Sequence, residues 1–282
     1  MKAVQITTLE GPTAVELVDI PSPEPGPDQV LIRVHAAGVA FPEVLQSRGL
    51  YQMKPDLPFT PGAEIAGEII AAPDGSGFAP GDRVAALCLL GGFAEEAVAP
   101  LETTFALPDA MTYEQGASTI FNYGTAYFAL IERGHLQAGE TVLVQGAAGG
   151  IGTAAIQVAK AFDAGRVIAV TSTPEKGAIA LEAGADEFVL PDGFKDIAKE
   201  QGGVDIVVDP VGGDRFTDSL RSLKDDGRLL VIGFTAGEIP TVKVNRLLLN
   251  NVSVVGVGWG AYVLQRPGHI AKEWAALEPH LK

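Results

Sequence analysis

"LVQGAAGGIGTAAIQVAKAF", residues Leu143 to Phe162, passes from an apolar run through a knot of small residues into a helical pattern. Gly146, Gly149 and Gly152 make G-x-x-G-x-x-G directly after the strand candidate TVLVQ. Ile151, Ala154, Ala155, Val158, Ala159 and Phe162 then recur at the spacing of one helix face. The glycines therefore sit at a strand-to-helix turn. Small residues there cost backbone entropy, so something must approach that backbone closely. A helix N-terminus offers N–H groups without intrahelical partners and the positive end of its dipole. A pyrophosphate reaches those groups where no Cβ stands in the way. Gly146, Gly149, Gly150, Ile151 and Gly152 are accordingly expected to cradle a dinucleotide, with Gly152 also letting the helix lie close to the sheet. A turn that only packs would not call for five consecutive small residues, Gly146 to Gly150.

Downstream, strand and helix patterns alternate. Strand candidates are TVLVQ, RVIAVTS, EFVLP, VDIVVDPV, RLLVIGF and VSVVGVGW, and helical patterns fall at 151–162, 174–183, 194–201 and 214–222. Such alternation predicts a doubly wound parallel sheet with helices on both faces, an α/β fold. The end of the second strand names the cofactor. Where an NAD site carries Asp or Glu for the ribose 2′-hydroxyl, at the end of the strand, RVIAVTSTPEK has no acid at that place. It offers Thr171, Ser172 and Thr173, then Lys176. Hydroxyls and a cation suit a 2′-phosphate, which points to NADPH.

Upstream, residues 1–115 read as short strands separated by turns such as APDGSGFAPGD, the texture of a small β-barrel-like domain. The chain has 282 residues, 20 basic and 35 acidic, a formal charge of −15. That surface repels phosphate backbones, so nucleic acid is not an expected partner. No apolar run approaches the ~20 residues of a membrane span, and no signal layout opens the chain. A cytoplasmic protein is expected. One cysteine, Cys88, rules out an internal disulfide framework. The four histidines, His35, His135, His269 and His280, have no metal-ligand spacing.

The stretches HAAGVAFPEVLQSRGLY, PGAEIAGEI, GDRVAAL, GGFAEEAV, NYGTAYFAL, AGETVLVQGAAGGIGTAAIQVAKA and LEAGADEFV resemble, in order, the zinc-independent quinone oxidoreductases of the medium-chain dehydrogenase/reductase superfamily. The resemblance implies a GroES-like β-barrel catalytic domain over 1–115 and a Rossmann NADP-binding domain over 116–262. It also implies a cleft between them, NADPH, and a homodimer formed through the Rossmann sheets. Residues 263–282, which look helical, would begin the return to the catalytic domain. Relatives continue for some tens of residues past this point, so the chain is expected to be a short member or a piece of a longer one. Zinc enzymes of the superfamily carry Cys near Ala40–Phe41 and Gly-His-Glu near Gly62–Glu64. Neither Cys nor His stands there, so no metal is expected.

The resemblance also assigns roles. Tyr51 lies at the pocket-lining position and is the candidate catalytic hydrogen-bond donor. Ala40 and Phe41, in GVAF, line the nicotinamide pocket, with Ala40 where many relatives carry Asn. Asn122 and Thr125 would contact nicotinamide and ribose-phosphate. Val211, in Val207–Gly213, would face the adenosine or the nicotinamide-ribose side, and Gly233, Phe234 and Thr235 the nicotinamide. Asp209 reads as a loop stabiliser rather than an acid. NVSVVGVGWGAY, Asn251 to Tyr262, reads as an apolar β run near the sheet edge, open to pairing with a second copy. The activity this implies is reduction of quinones or α,β-unsaturated carbonyls by hydride transfer. Enoyl reduction of acyl thioesters and non-catalytic NADPH sensing are the alternatives.

Overall fold

The computed structural model describes residues 1–281. Two compact units divide the chain: residues 1–121 with the segment from Arg266 onward, and residues 122–265.

In the first unit, β1 (Lys2–Ile6) and β2 (Val15–Asp19) form an antiparallel pair. β3 (Gln29–Ala37), β4 (Glu64–Ala71), β5 (Arg83–Leu87), β6 (Glu96–Pro100) and β7 (Thr104–Ala106) form an antiparallel sheet in the order β6-β3-β4-β5-β7. Alternation along β3 buries Val30 and Ile32 against Ile65, Val84, Ala97 and Ala99. The short helices α1 (Phe41–Ser47) and α2 (Tyr113–Gly116) belong to this unit. α3 (Ile120–Tyr127), continued by a π-helical turn at Phe128–Arg133, carries the chain out of it.

The second unit is built on β8 (Thr141–Gln145), β9 (Arg166–Val170), β10 (Glu187–Val189), β11 (Val204–Asp209), β12 (Leu223–Val231) and β13 (Ser253–Gly256). All pair in parallel, in the order β10-β9-β8-β11-β12-β13. The order reverses between β8 and β11, the switch point at which open α/β sheets bind ligands. The intervening helices are α4 (Gly150–Ala161), α5 (Pro174–Glu182), α6 (Phe194–Glu200), α7 (Phe216–Arg221) and α8 (Asn245–Asn250). The first four match the helical patterns of the sequence to within two residues. Both faces of the sheet are covered, and β8 buries Val142, Leu143, Val144 and Gln145 in succession.

Two expectations change. The apolar run 251–262 is not one strand: β13 ends at Gly256, and α9 (Trp259–Val263) follows. Gly258, at φ −100° and ψ 67°, caps that helix, and Phe128 and Tyr262 pack ring to ring at 4.8 Å. The terminal helix, α10 (His269–Leu277), is shorter than the stretch that looked helical. It packs on the first unit, with Trp274 stacked on Phe105 at 4.8 Å. Among the described residues no helix is long and apolar enough to cross a membrane.

Candidate functional site

The glycine-rich turn occupies the switch point. Gly146 leaves β8 at φ 58°, a left-handed conformation that glycine adopts without strain. The Ala147 N–H returns to the Val170 carbonyl at 3.1 Å, and the Gly149 N–H to Gly146 at 3.0 Å. Gly149 caps α4, whose first-turn N–H groups have no partner one turn back. The glycines serve different needs. A Cβ on Gly152 would lie 2.4 Å from the Gly146 carbonyl oxygen, so the turn closes only over glycine. It is the turn itself, rather than the sheet, that Gly152 lets approach. A Cβ on Gly150 would lie 3.0 Å from the Asn122 side chain, which places Asn122 against the helix start. A Cβ on Gly149 would meet only the Gly146 oxygen at 3.4 Å, in ordinary contact. Internal packing therefore does not require glycine at 149. What its missing side chain leaves open is the approach to the N–H groups of a helix N-terminus, where phosphates bind.

At the end of β9, Thr171 is buried, its hydroxyl donating to the Thr173 carbonyl at 3.2 Å. Thr173 caps α5, accepting the Lys176 N–H at 3.3 Å. Both hydroxyls thus also serve local structure. Ser172 and Lys176 are exposed. Arg166, at the other end of the strand, is engaged by Glu187. Ser172 and Lys176 are the exposed donors of this stretch.

The loops after β11 and β12 complete the switch point. A Cβ on Gly146 would lie 3.0 Å from a Val211 methyl. The Thr235 N–H donates to the Pro210 carbonyl and the Ala236 N–H to Val211, both at 3.1 Å. A Cβ on Gly233 would stand 3.4 Å from the Pro210 oxygen, and one on Gly212 2.9 Å from the Phe234 ring. Within the second unit, then, Asn122, Gly146–Gly152, Val211, Gly233, Phe234 and Thr235 converge. Thr125 is buried one turn after Asn122 on α3.

Ala40, Phe41 and Tyr51 lie in the first unit. Ala40 caps α1 without a side-chain bond, and Phe41 is 47% exposed. The Glu43 carboxylate supplies what the cap lacks: its oxygens accept the Ala40 N–H at 2.9 Å and the Ala63 N–H at 3.2 Å. Tyr51 is half-buried, and its phenol is pushed above its ordinary value, first by burial and then by the charge of Glu43. Glu64 is buried too, accepting the Phe121 N–H at 2.9 Å. Burial, with Glu43 nearby, pushes its carboxyl up to about 8. Burial likewise raises the Cys88 thiol to about 12, and it donates to the Gly62 and Ala63 carbonyls.

Residues 26–109 match the family model described as an alcohol dehydrogenase GroES-like domain, and residues 150–277 that of a zinc-binding dehydrogenase. Quinone oxidoreductase-like protein 2 of Mus musculus is 40% identical over 269 residues, 93% of this chain and 76% of its own length. The solved quinone oxidoreductase of Thermus thermophilus, determined also as its complex with NADPH, is 37% identical. It superposes with a TM-score of 0.85 over 100% of this chain and 88% of its own. The Escherichia coli quinone oxidoreductase, complexed with NADPH, is 26% identical with a TM-score of 0.86, over 98% of this chain and 87% of its own. The chain belongs to the quinone oxidoreductase family of the medium-chain dehydrogenase/reductase superfamily.

The fold of this quinone oxidoreductase family member is the one the sequence implies: a GroES-like β domain and a Rossmann parallel sheet. One of its family models is described as zinc-binding, and Ala40, Phe41 and Ala63 carry no metal-ligating side chain. Sequence reading passed over Glu43 and Glu64. Glu43 stands three residues after the helix cap, the spacing of a capping box, which is a readable signal. Glu64 carries none, because its partner Phe121 lies far along the chain.

Proposed function

We propose that this quinone oxidoreductase family member is an NADPH-dependent, zinc-independent reductase of quinones or α,β-unsaturated carbonyls. The observation that carries the reading is the switch-point cradle of Gly146–Gly152 beside a β9 end that has Thr171 and Ser172 where an acid would stand, with Lys176 in the first turn of α5. The NADPH complexes of two relatives support it.

NADPH, when bound, supplies the hydride. The chain's own groups bind and orient. The N–H groups of Gly150, Ile151 and Gly152 take the pyrophosphate, and Lys176 with Ser172 takes the 2′-phosphate. Asn122, Thr125, Val211 and the 233–235 segment hold the nicotinamide-ribose end, and Ala40 and Phe41 border the nicotinamide pocket. Tyr51 donates a hydrogen bond to the substrate oxygen as negative charge develops there. Burial and the Glu43 charge keep that phenol protonated at neutral pH, as a donor must be. No Cys or His stands at the zinc positions, and the raised Cys88 thiol is a poor metal ligand.

The protein is proposed to be a cytoplasmic homodimer. β13 pairs on one side only, with β12. Ile239, Val244, Leu248 and Leu249 in the same unit are each more than 70% exposed. Such an edge and such apolar surface favour a second copy. Light scattering behind size exclusion reads the assembly.

NADPH consumption against quinones, enones and enoyl thioesters, before and after dialysis against a strong chelator, tests the activity. Turnover of quinones or enones that survives chelation is expected. A preference for thioesters makes it an enoyl reductase. No turnover with tight NADPH binding makes it a sensor, and activity lost with a stoichiometric zinc contradicts the reading.

A further inference from the structure

Asp209 ends β11 with 2% of its surface exposed. Its Oδ1 accepts two backbone N–H groups, those of Val211 and Gly212, each at 2.9 Å. Desolvation pushes its carboxyl above the ordinary value, against the pull of those two donors and of Arg215. A buried acid is a costly way to end a core strand. What it obtains is a fixed turn. With the Val211 and Gly212 N–H groups drawn inward to the carboxylate, the Pro210 and Val211 carbonyls face the next loop. There they accept Thr235 and Ala236 at 3.1 Å. The Asp209 carbonyl adds the Ile232 N–H at 3.0 Å, and the Gly213 N–H donates to Glu238 at 3.2 Å. On its other side the same turn sets a Val211 methyl against Gly146. One carboxylate thus organises the turn on which the segment after β12 docks, beside the glycine turn after β8.

We propose that Asp209 is a positioning residue for the cofactor site: its carboxylate fixes the 210–213 turn and, through it, the 233–236 segment that borders the nicotinamide end. This rests on the NADPH reading above. It adds a residue that touches no cofactor and acts through Val211 and Thr235.

The test compares Asp209→Ala, Asp209→Ser and Asp209→Asn in the full chain, with Leu220→Ala as a stability control, buried in the same unit and outside the 146–152, 210–213 and 233–236 segments. Nicotinamide fluorescence gives the NADPH Kd, circular dichroism the fold, and thermal melts the stability. Asn keeps an acceptor at the same reach, Ser a shorter one, and Ala none. The expected order of affinity is wild type, Asn, Ser, Ala. Ala should lose about tenfold or more, the loss expected for one or two net hydrogen bonds. Asn should stay within about threefold of wild type, and Leu220→Ala should lower the melting temperature without changing the Kd. If Asp209→Ala does not fold, Asn against Ser carries the same comparison. Affinity indifferent to position 209, Asn no better than Ser or Ala, or an equal loss in Leu220→Ala overturns the inference. A wild type that binds no NADPH overturns the reading beneath it, and wild-type binding with indifferent Asp209 variants overturns this inference alone.

Discussion

Gly149 caps α4 at φ −84° and ψ 172°, extended backbone that any residue adopts. A change to valine there carries no left-handed strain, and its Cβ meets only the Gly146 oxygen. Replacing a glycine cap with a β-branched residue costs the fold about 1 kcal/mol. The proposed phosphate, by contrast, loses its approach to the helix-end N–H groups. Gly149→Val should therefore keep a native circular dichroism spectrum and a near-native melt while NADPH affinity falls by orders of magnitude. A folded variant with native affinity contradicts the cradle. Glu64 makes a different kind of prediction. Its carboxyl is raised from 4.5 to about 8, so the folded state holds a proton that the unfolded chain releases. Its contribution is full below about pH 4.5 and declines as pH rises, being gone once pH has passed about 8. Glu43 and Cys88 face the same buried region and titrate upward with it. Glu64→Gln, which cannot titrate, should flatten the fall in unfolding free energy between those limits. Parallel slopes for variant and wild type, from denaturant melts across that range, refute the assignment.

At the scale of elements, α1 stands out because its buried face carries Glu43, Gln46 and Ser47 rather than apolar residues. Hydrophobic periodicity does not find such a helix, whereas α4 announces itself through six apolar positions on one face. The cap explains part of the arrangement. Ala40 offers no side-chain acceptor, and Glu43 turns back to bind its N–H. Ala40→Asn should add a side-chain cap and stabilise the protein by about 1 kcal/mol in urea unfolding. No gain, or a loss, means the Asn side chain does not reach the helix N–H groups. The 251–262 run marks where element reading failed. Valines and glycines alternate there as they do in a strand, but Trp259, Gly260 and Ala261 turn into α9. Packing of Tyr262 against Phe128 overrides local β preference.

At the scale of the whole molecule, the parallel sheet was legible because β8, β9, β11 and the second half of β12 each carry an apolar run, and helical patterns separate them. The switch point followed from the glycine turn. Less legible were the long-range polar contacts: Glu64 to Phe121 and the docking of Thr235 on Pro210. Polar pairs leave no periodic trace, and only the folded chain brings them together. The cofactor choice rests on very little sequence, the absence of an acid at the end of β9 itself and the presence of exposed Ser172 and Lys176. The most direct measurement is therefore a fluorescence titration of the protein with NADPH and with NADH, repeated on Lys176→Ala. The account predicts NADPH binding at least about tenfold tighter than NADH, and a loss of about 1–2 kcal/mol for NADPH alone in the variant. Equal affinities, or a preference for NADH, would contradict it.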